Sequence, residues 1–419
     1  MCNKVLALIG LISFPMAVIG QETGYRATYK VDGAVISEEN RSNVSLENVE
    51  MNSSVVYATN GVNLILTRLR MNKTAGASTD DDYRMTGHNA AFLVDGGSKV
   101  TLEYSDVNSH VSHADGIVVV GNGTELDVVE GNVTCSRSES AAVNAVGGGK
   151  AKFEKTVVNT YSSQNPSFLT GPGGVIEVNQ ISGQNSGQAS PMFFSQGDIT
   201  ARNCRMSSSK WSMGSVDGGK MTLTNNTLKS GGVSGFLLYG PKDRSENGEL
   251  NLNKNTLTVG DGPLFLVTNT SAAINMEGNK ITYGSKDLMI VCSDDWGVKG
   301  KNGGDAVLTV GKQALKGNIK VDSISSLQLN LNKGAKLTGH INDAENRCAK
   351  VKVVIGAGSK WTAKGDNYIT SIKFEQPLQK GLKQLKGKHV IYYDPADPDN
   401  KALEGKEYKT GGGVLRPLK

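Results

Sequence analysis

Three groups of side chains in this sequence are of a kind and spacing that does chemistry. Lys242, Asp243 and Arg244 form one charged run, and Asp294, Asp295 and Trp296 form another. A guanidinium, two carboxylates and an indole are the parts of a sugar-binding site. The charged groups hydrogen-bond hydroxyls, and the flat ring supplies an apolar platform with a polar edge. We therefore take Arg244, Asp294, Asp295 and Trp296 as the candidate ligand-binding set. A second acidic run, Asp80-Asp81-Asp82, is followed by Tyr83 and Arg84. The third group is His110, His113 and Asp115. Its HxxHxD spacing lacks the further strong ligand that a zinc centre needs, so no metal site is assigned. No catalytic residue and no cofactor are assigned either.

Most of the remaining sequence exists to place these groups. The chain has 419 residues, of which 51 are glycine and 10 proline, with 38 % hydrophobic and 6 % aromatic residues. Collagen would need glycine at every third position, and a disordered chain would lack this apolar content. An internal repeat decides the matter: an apolar residue, one spacer, a second apolar residue, four spacers, and a third. It reads Val44-Leu46-Met51, Leu64-Leu66-Met71, Val100-Leu102-Val107 and Leu126-Val128-Val133, and continues to Leu308-Val310-Leu315. A second short apolar segment lies between rows, as in Ile117–Val120 and Phe236–Tyr239, often followed by paired glycines such as Gly96-Gly97 or Gly148-Gly149.

Alternation over short runs bounded by Gly, Asn and Ser means strands. A coil of about 20 to 25 residues built from three such strands is a solenoid turn. The predicted fold is all-β, a right-handed single-stranded parallel β-helix solenoid with a C-terminal cap. Glycine is expected at one recurrent corner of the coil. Asn226, Asn255 and Asn279 share a column five residues after the first apolar position, and Cys204 precedes them in it. Stacked this way, the amides can hydrogen-bond along the axis and satisfy the turn.

The expected organisation has four parts. Residues 1–20 read as a signal peptide, with Lys4 ahead of an apolar run from Val5 to Phe14 and a cleavage site near Gly20. This implies a secreted or cell-surface protein, and the mature chain has no apolar run long enough to span a membrane. Residues 21–315 form a parallel β-helix of about eleven coils. Residues 316–372 are terminal coils in which the echo of the repeat is lost, and residues 373–419 are a small C-terminal cap module. Four cysteines follow the signal segment, too few for a disulfide scaffold. Three coils separate Cys135 from Cys204, too far for a bond, and the pairing of Cys292 with Cys348 is left open.

Specific segments carry a resemblance. The run from Trp296-Gly297 to Gly303-Gly304-Asp305, followed by VDSISSLQLNLNKGAKLTGHIN from Val321 to Asn342, resembles exported pectin-lyase-like β-helix proteins of gut bacteria. Gly358-Ser359-Lys360-Trp361-Thr362, with Tyr368-Ile369-Thr370-Ser371 after it, is similar to the terminal strands of autotransporter passenger domains. The resemblance implies an adhesin-like protein, secreted or at the cell surface. It brings no catalytic residues with it. The chain departs from autotransporters in leaving no room for a C-terminal membrane barrel.

Polysaccharide lyases of this fold use carboxylates to hold calcium beside an Arg or Lys base, and hydrolases use two carboxylates flanking the bond. On stacked coils such carboxylates would occupy one column. Glu47, Thr67, Glu103, Val129 and Glu154 alternate instead, and Glu125 is followed by Lys150 and Val175. The expectation is therefore a non-catalytic protein whose partner is a polysaccharide or cell-envelope glycan. A loop-borne lyase or hydrolase site is the alternative, and a purely structural surface rod the third reading. Lys373, Lys380, Lys383, Lys386 and Lys388 crowd the C-terminal part, where they could hold an acidic polymer. Nothing points to nucleic acid.

Overall fold

The computed structural model describes residues 35–37 and 39–419, so the expected signal peptide, residues 1–20, lies outside the described residues. What is described is an all-β parallel solenoid of about 15 turns. It divides into two compact units, one ending at residue 215 with 219–232 added, the other made of 216–218 and 233–419.

In the first unit, each coil contributes one strand to each of three parallel sheets. The second sheet stacks Leu64, Val100, Leu126, Ala151, Ile176, Ile199 and Met221 in one inward column. Leu66, Leu102, Val128, Phe153, Val178, Ala201 and Leu223 form the next, and all of these side chains are buried. In the third sheet Met71, Val107, Val133, Val158, Gly183, Met206 and Leu228 stand in register. A slip of one residue would turn every column outward. Each buried Leu or Val contributes about 1.5–3 kcal/mol against that slip. The repeat row at Val44-Leu46-Met51 is displaced from these columns. Leu46 pairs with Met71 in the third sheet and Arg41 with Leu66 in the second, which leaves Met51 63 % exposed.

In the second unit the columns continue as Leu250, Ile274, Leu308, Leu329, Val353 and Ile372. Leu315, Leu337, Trp361 and Leu385 form the third-sheet column beside them. The echo of the repeat therefore persists past residue 316. Leu329-Leu331-Leu337 and Val353-Ile355-Trp361 carry one extra residue in the corner, where Gly334 and Gly358 take positive φ. The last residues both wind and close. Val390–Tyr393 pairs in parallel with Asn367–Ile369, Val414–Pro417 pairs with Val390–Tyr393, and Tyr408–Lys409 runs antiparallel at the edge. A 3-10 turn, Pro398–Leu403, brings Asn400 to accept from Ile372 N and donate to Thr370 O.

Two corners, not one, need left-handed backbone. Between the first and second sheets, glycines take it: Gly96, Gly97, Gly121, Gly123, Gly147, Gly148 and Gly173. Between the second and third sheets the same region is held by Arg68, Tyr104, Glu130, Lys155, Gln180, Asn203 and Asn225, with φ between 49° and 57°. Arg68 through Asn203 in this series each donate the N–H to the next coil: Arg68 to Glu103 O, Tyr104 to Val129 O and Glu130 to Glu154 O at 2.9–3.0 Å, and Lys155, Gln180 and Asn203 likewise. The hydrogen-bond ladder thus continues around the bend and holds a conformation that side chains otherwise avoid.

The column after this corner is buried. Asn226 Oδ1 accepts from Cys204 N at 2.8 Å, and its Nδ2 donates to Ala201 O. Asn279 Oδ1 accepts from both Asn255 N and Asn255 Nδ2, while Asn279 N donates to Gln313 Oε1. Cys204 is a packed member of this column, and burial pushes its thiol up to about 11. No disulfide joins Cys292, which is buried, to Cys348, which is exposed. Asn279→Ala strips the acceptor from two buried donors of Asn255 and is expected to cost about 1–3 kcal/mol. The exposed outward change Asn275→Ala should stay within about 0.5 kcal/mol. Urea unfolding midpoints of the two variants check this ordering.

Candidate functional site

The structure brings the two charged runs of the second unit into one corner. Asn269 donates its Nδ2 to Gly240 O at 2.7 Å and to Asp243 O at 3.2 Å, tying down the 240–244 loop. Its own N donates to Asn302 O, and Asn302 Nδ2 in turn bonds the carbonyls of Asp294 and Trp296. Arg244 bonds Gly303 O and Thr270 O and pairs with Asp305. Its Nε lies 3.5 Å from Glu246. The Asp295 side chain is exposed. Asp294 is half-buried, and burial raises its carboxyl above the usual range. Trp296 keeps only 8 % of its surface, and its ring packs on Tyr239 with centroids 4.8 Å apart. The indole therefore anchors the loop and has little face left for a sugar.

Next to Arg244 and Asp305 lies a shallow groove of about 680 Å³ on the outer face of the second sheet. Its floor is one register row across five strands: Glu249, Ala273, Val307, Gln328 and Lys352. A second row runs Ser271, Asp305, Ser326 and Lys350. Ser326 Oγ donates to Asp305, and Ser271 Oγ donates to Glu246 at 2.8 Å. Lys352 is held at 2.9 Å by Asp399, which also pairs with Lys373. The two rows thus present hydroxyls, an amide and both signs of charge around small apolar residues. Beside them runs Asn251, Asn275, Thr309 and Asn330, with Asn275 donating to Asn251 at 3.0 Å and Asn330 to Thr309 at 3.3 Å. Sequence reasoning found Arg244 but missed the two rows of the groove. No single residue in them is unusual, and only the register aligns them.

The first unit gathers the other two groups. The segment after Asp80-Asp81-Asp82 folds into a short helix, Tyr83–Thr86, closed by Gly87 in the left-handed region. A Cβ at Gly87 would lie 2.3 Å from Leu93 Cδ1, so glycine lets the helix end press onto the first sheet. Tyr83 donates its hydroxyl to Glu139 O, and Glu139 pairs with His113. Asp115 is fully buried, accepting from Ala141 N at 2.7 Å and Asn144 Nδ2 at 3.1 Å. Burial lifts its carboxyl to about 6 against the pull of Arg84. His110 points elsewhere, to Ser136 Oγ. Among the described residues no group of three or more metal-ligating side chains converges.

Among the described residues, in the registers within each unit, no carboxylate faces another across neighbouring strands. Glu125 stands between Lys99 and Lys150, Asp127 between Thr101 and Lys152, and Asp305 between Ser271 and Ser326.

Residues 115–281 match the family model described as a right handed beta helix region. The match covers part of the chain and agrees with the parallel β-solenoid described above. No curated protein matches the chain.

The Asp115 carboxyl gives a pH signature. Its proton is held more tightly in the folded state (about 6) than on an ordinary aspartate (3.8). Between these values the folded protein binds more protons than the unfolded one, so this group's contribution falls as pH rises and is lost above 6. The full loss is on the order of 3 kcal/mol. Asp115→Asn removes the titration. Relative to wild type, the variant should gain stability steadily from pH 4 to pH 6.5, as read by urea unfolding at each pH.

Proposed function

We propose that this is an exported, surface-displayed, adhesin-like β-helix protein that binds polysaccharide without cleaving it. The groove on the outer face of the second sheet, in the second unit, is the binding surface. The observation that carries the reading is a pair of adjacent rows, Glu249 to Lys352 across five neighbouring strands and Ser271 to Lys350 across four of them. Strands about 4.8 Å apart make this stripe roughly 20 Å long, the scale of a short oligosaccharide. Hydroxyl and amide side chains beside Ala273 and Val307 suit sugar hydroxyls and the apolar face of the ring together. Arg244, paired with Asp305, closes one border of the stripe. Asp294, Asp295 and Trp296 belong to the loop that holds this border, with Asp295 its exposed contact.

The absence of facing carboxylates in the described registers favours binding over hydrolysis. Export rests on the signal-like segment 1–20, and adhesion on the resemblance of the terminal segments. A glycan array, with reducing-end and unsaturated-product assays on every glycan bound, tests the reading. Binding without product is expected, and Ala273→Trp, which fills the groove floor, should weaken it at least tenfold. Product formation would establish the lyase or hydrolase alternative. No binding to any glycan would leave a structural rod.

A further inference from the structure

A second surface lies on the outer face of the third sheet in the second unit. It is built from the strands Ala314–Lys316, Lys336–Gly339, Lys360–Ala363 and Leu385–Lys386. Leu315, Leu337, Trp361 and Leu385 point inward and are buried, so the residues beside each of them face outward. One outward row reads Ala314, Lys336 and Lys360, and the next reads Lys316, Thr338, Thr362 and Lys386. Lys312 and Lys333 are exposed at the corner that leads into the first two strands. The four strands contain no Asp or Glu.

Lys336 and Lys360 stand directly opposite one another in the register. With strands about 4.8 Å apart, two facing ammonium groups repel, and like charges so placed are destabilising. Outward charges elsewhere avoid this: Glu125 stands between Lys99 and Lys150, and Lys152 between Asp127 and Glu177. Among the described registers, Lys336 against Lys360 is the one pair of like charges. Lysines on the other sheets of these coils are neutralised, Lys320 by Asp287 and both Lys352 and Lys373 by Asp399. Lys316, Lys336, Lys360 and Lys386 have no such partner among the described residues. Of the five carboxylates between residues 312 and 389, Asp322, Asp343 and Glu345 line a cavity over the first sheet, and Asp366 and Glu375 accept from Val390 N and Ala357 N. The charge of this face is left for an anion from outside.

We propose that this face binds an anionic polysaccharide, whose acid groups are held jointly by Lys336 and Lys360. An acid group between these two lysines is attracted by both and offsets their mutual repulsion. The four strands make a face roughly 15 Å long, which suits an extended chain. Thr338 and Thr362, between Lys316 and Lys386 in the next row, can donate to and accept from sugar hydroxyls. Stable attachment to a bilayer takes an apolar anchor besides basic charge, and holding single-stranded bases takes aromatic faces. Trp361 points inward, and among the described residues no exposed large hydrophobic side chain lies on these strands. The face belongs to the third sheet and the groove to the second, so the proposal goes beyond the groove and does not rest on it.

Binding of the full chain to polygalacturonate and to dextran sulfate tests the assignment, with neutral dextran, phosphatidylserine vesicles and duplex DNA as comparators. At about 0.05 M NaCl at least one of the two anionic polysaccharides should bind and dextran should not, and about 0.5 M NaCl should weaken binding at least tenfold. Lys336→Gln combined with Lys360→Gln should weaken binding at least fivefold. The same pair should not lower the urea unfolding midpoint, because it removes a repulsion. Lys99→Gln combined with Lys150→Gln, an equal change in net charge on the first unit's second sheet, should keep affinity within twofold. Lys350 and Lys352 line the groove, so a polyanion held there would respond to Ala273→Trp and not to the Lys336 and Lys360 pair. Failure of this proposal is thus distinct from failure of the groove. The proposal is overturned if neither anionic polysaccharide binds, or if the Lys336 and Lys360 variant keeps wild-type affinity. It is also overturned if the Lys99 and Lys150 variant loses as much, or if vesicles or DNA bind more tightly than both polysaccharides.

Discussion

The structure depends on one constraint: each coil must satisfy its backbone hydrogen bonds from the coils next to it. A parallel solenoid has no hairpins, so every N–H and C=O that faces along the axis needs its partner at the same azimuth one turn away. Every coil is therefore obliged to bend at the same places, whatever its sequence there. This explains why Arg68, Tyr104, Glu130 and Lys155 all accept positive φ at one corner. Each holds a ladder bond to the adjacent coil, and loss of that bond would leave a polar group unpaired. The buried Asn255, Asn279 and Gln313 solve the same problem one residue later, with side-chain amides continuing the ladder where the turn leaves backbone donors over.

What the sequence revealed follows from this constraint. Inward columns were legible because burial demands an apolar residue at fixed spacing, as at Leu126, Val128 and Val133, and because a slip is so costly. The glycine corner was legible because glycine marks it. The second corner was not, since the hydrogen-bond ladder imposes left-handed backbone on residues with no intrinsic preference for it. Past residue 316 the spacing of the repeat changes, yet Leu329, Leu331 and Leu337 continue the columns with a single added corner residue. The first row failed for a different reason. Leu46 is a third-sheet residue, and the alternation around it imitates a second-sheet strand.

Candidate functional positions are harder to read because they face outward, where the columns impose no rule. Of the residues singled out, Arg244 sits at the groove border through its pair with Asp305. Trp296, chosen for its ring, turned inward onto Tyr239 because an indole on a short loop is worth more buried than exposed. Lys336 and Lys360 are inconspicuous in sequence, two among many lysines of the C-terminal part. They stand out only when the register sets one directly against the other. The outer face of a solenoid is thus legible through register alone, and register requires the fold.

On the proposed function, the second unit's outer sheet face recognises an extended glycan through its aligned rows. Hydrogen–deuterium exchange of the full chain, with and without a bound oligosaccharide, tests it most directly. Added protection is expected in Ser245–Asn253, Thr270–Glu277, Gly304–Gly311, Ser326–Asn332 and Lys350–Ile355, the strands that bear those rows. Protection that falls elsewhere, with these five strands unchanged, would overturn the proposed binding surface.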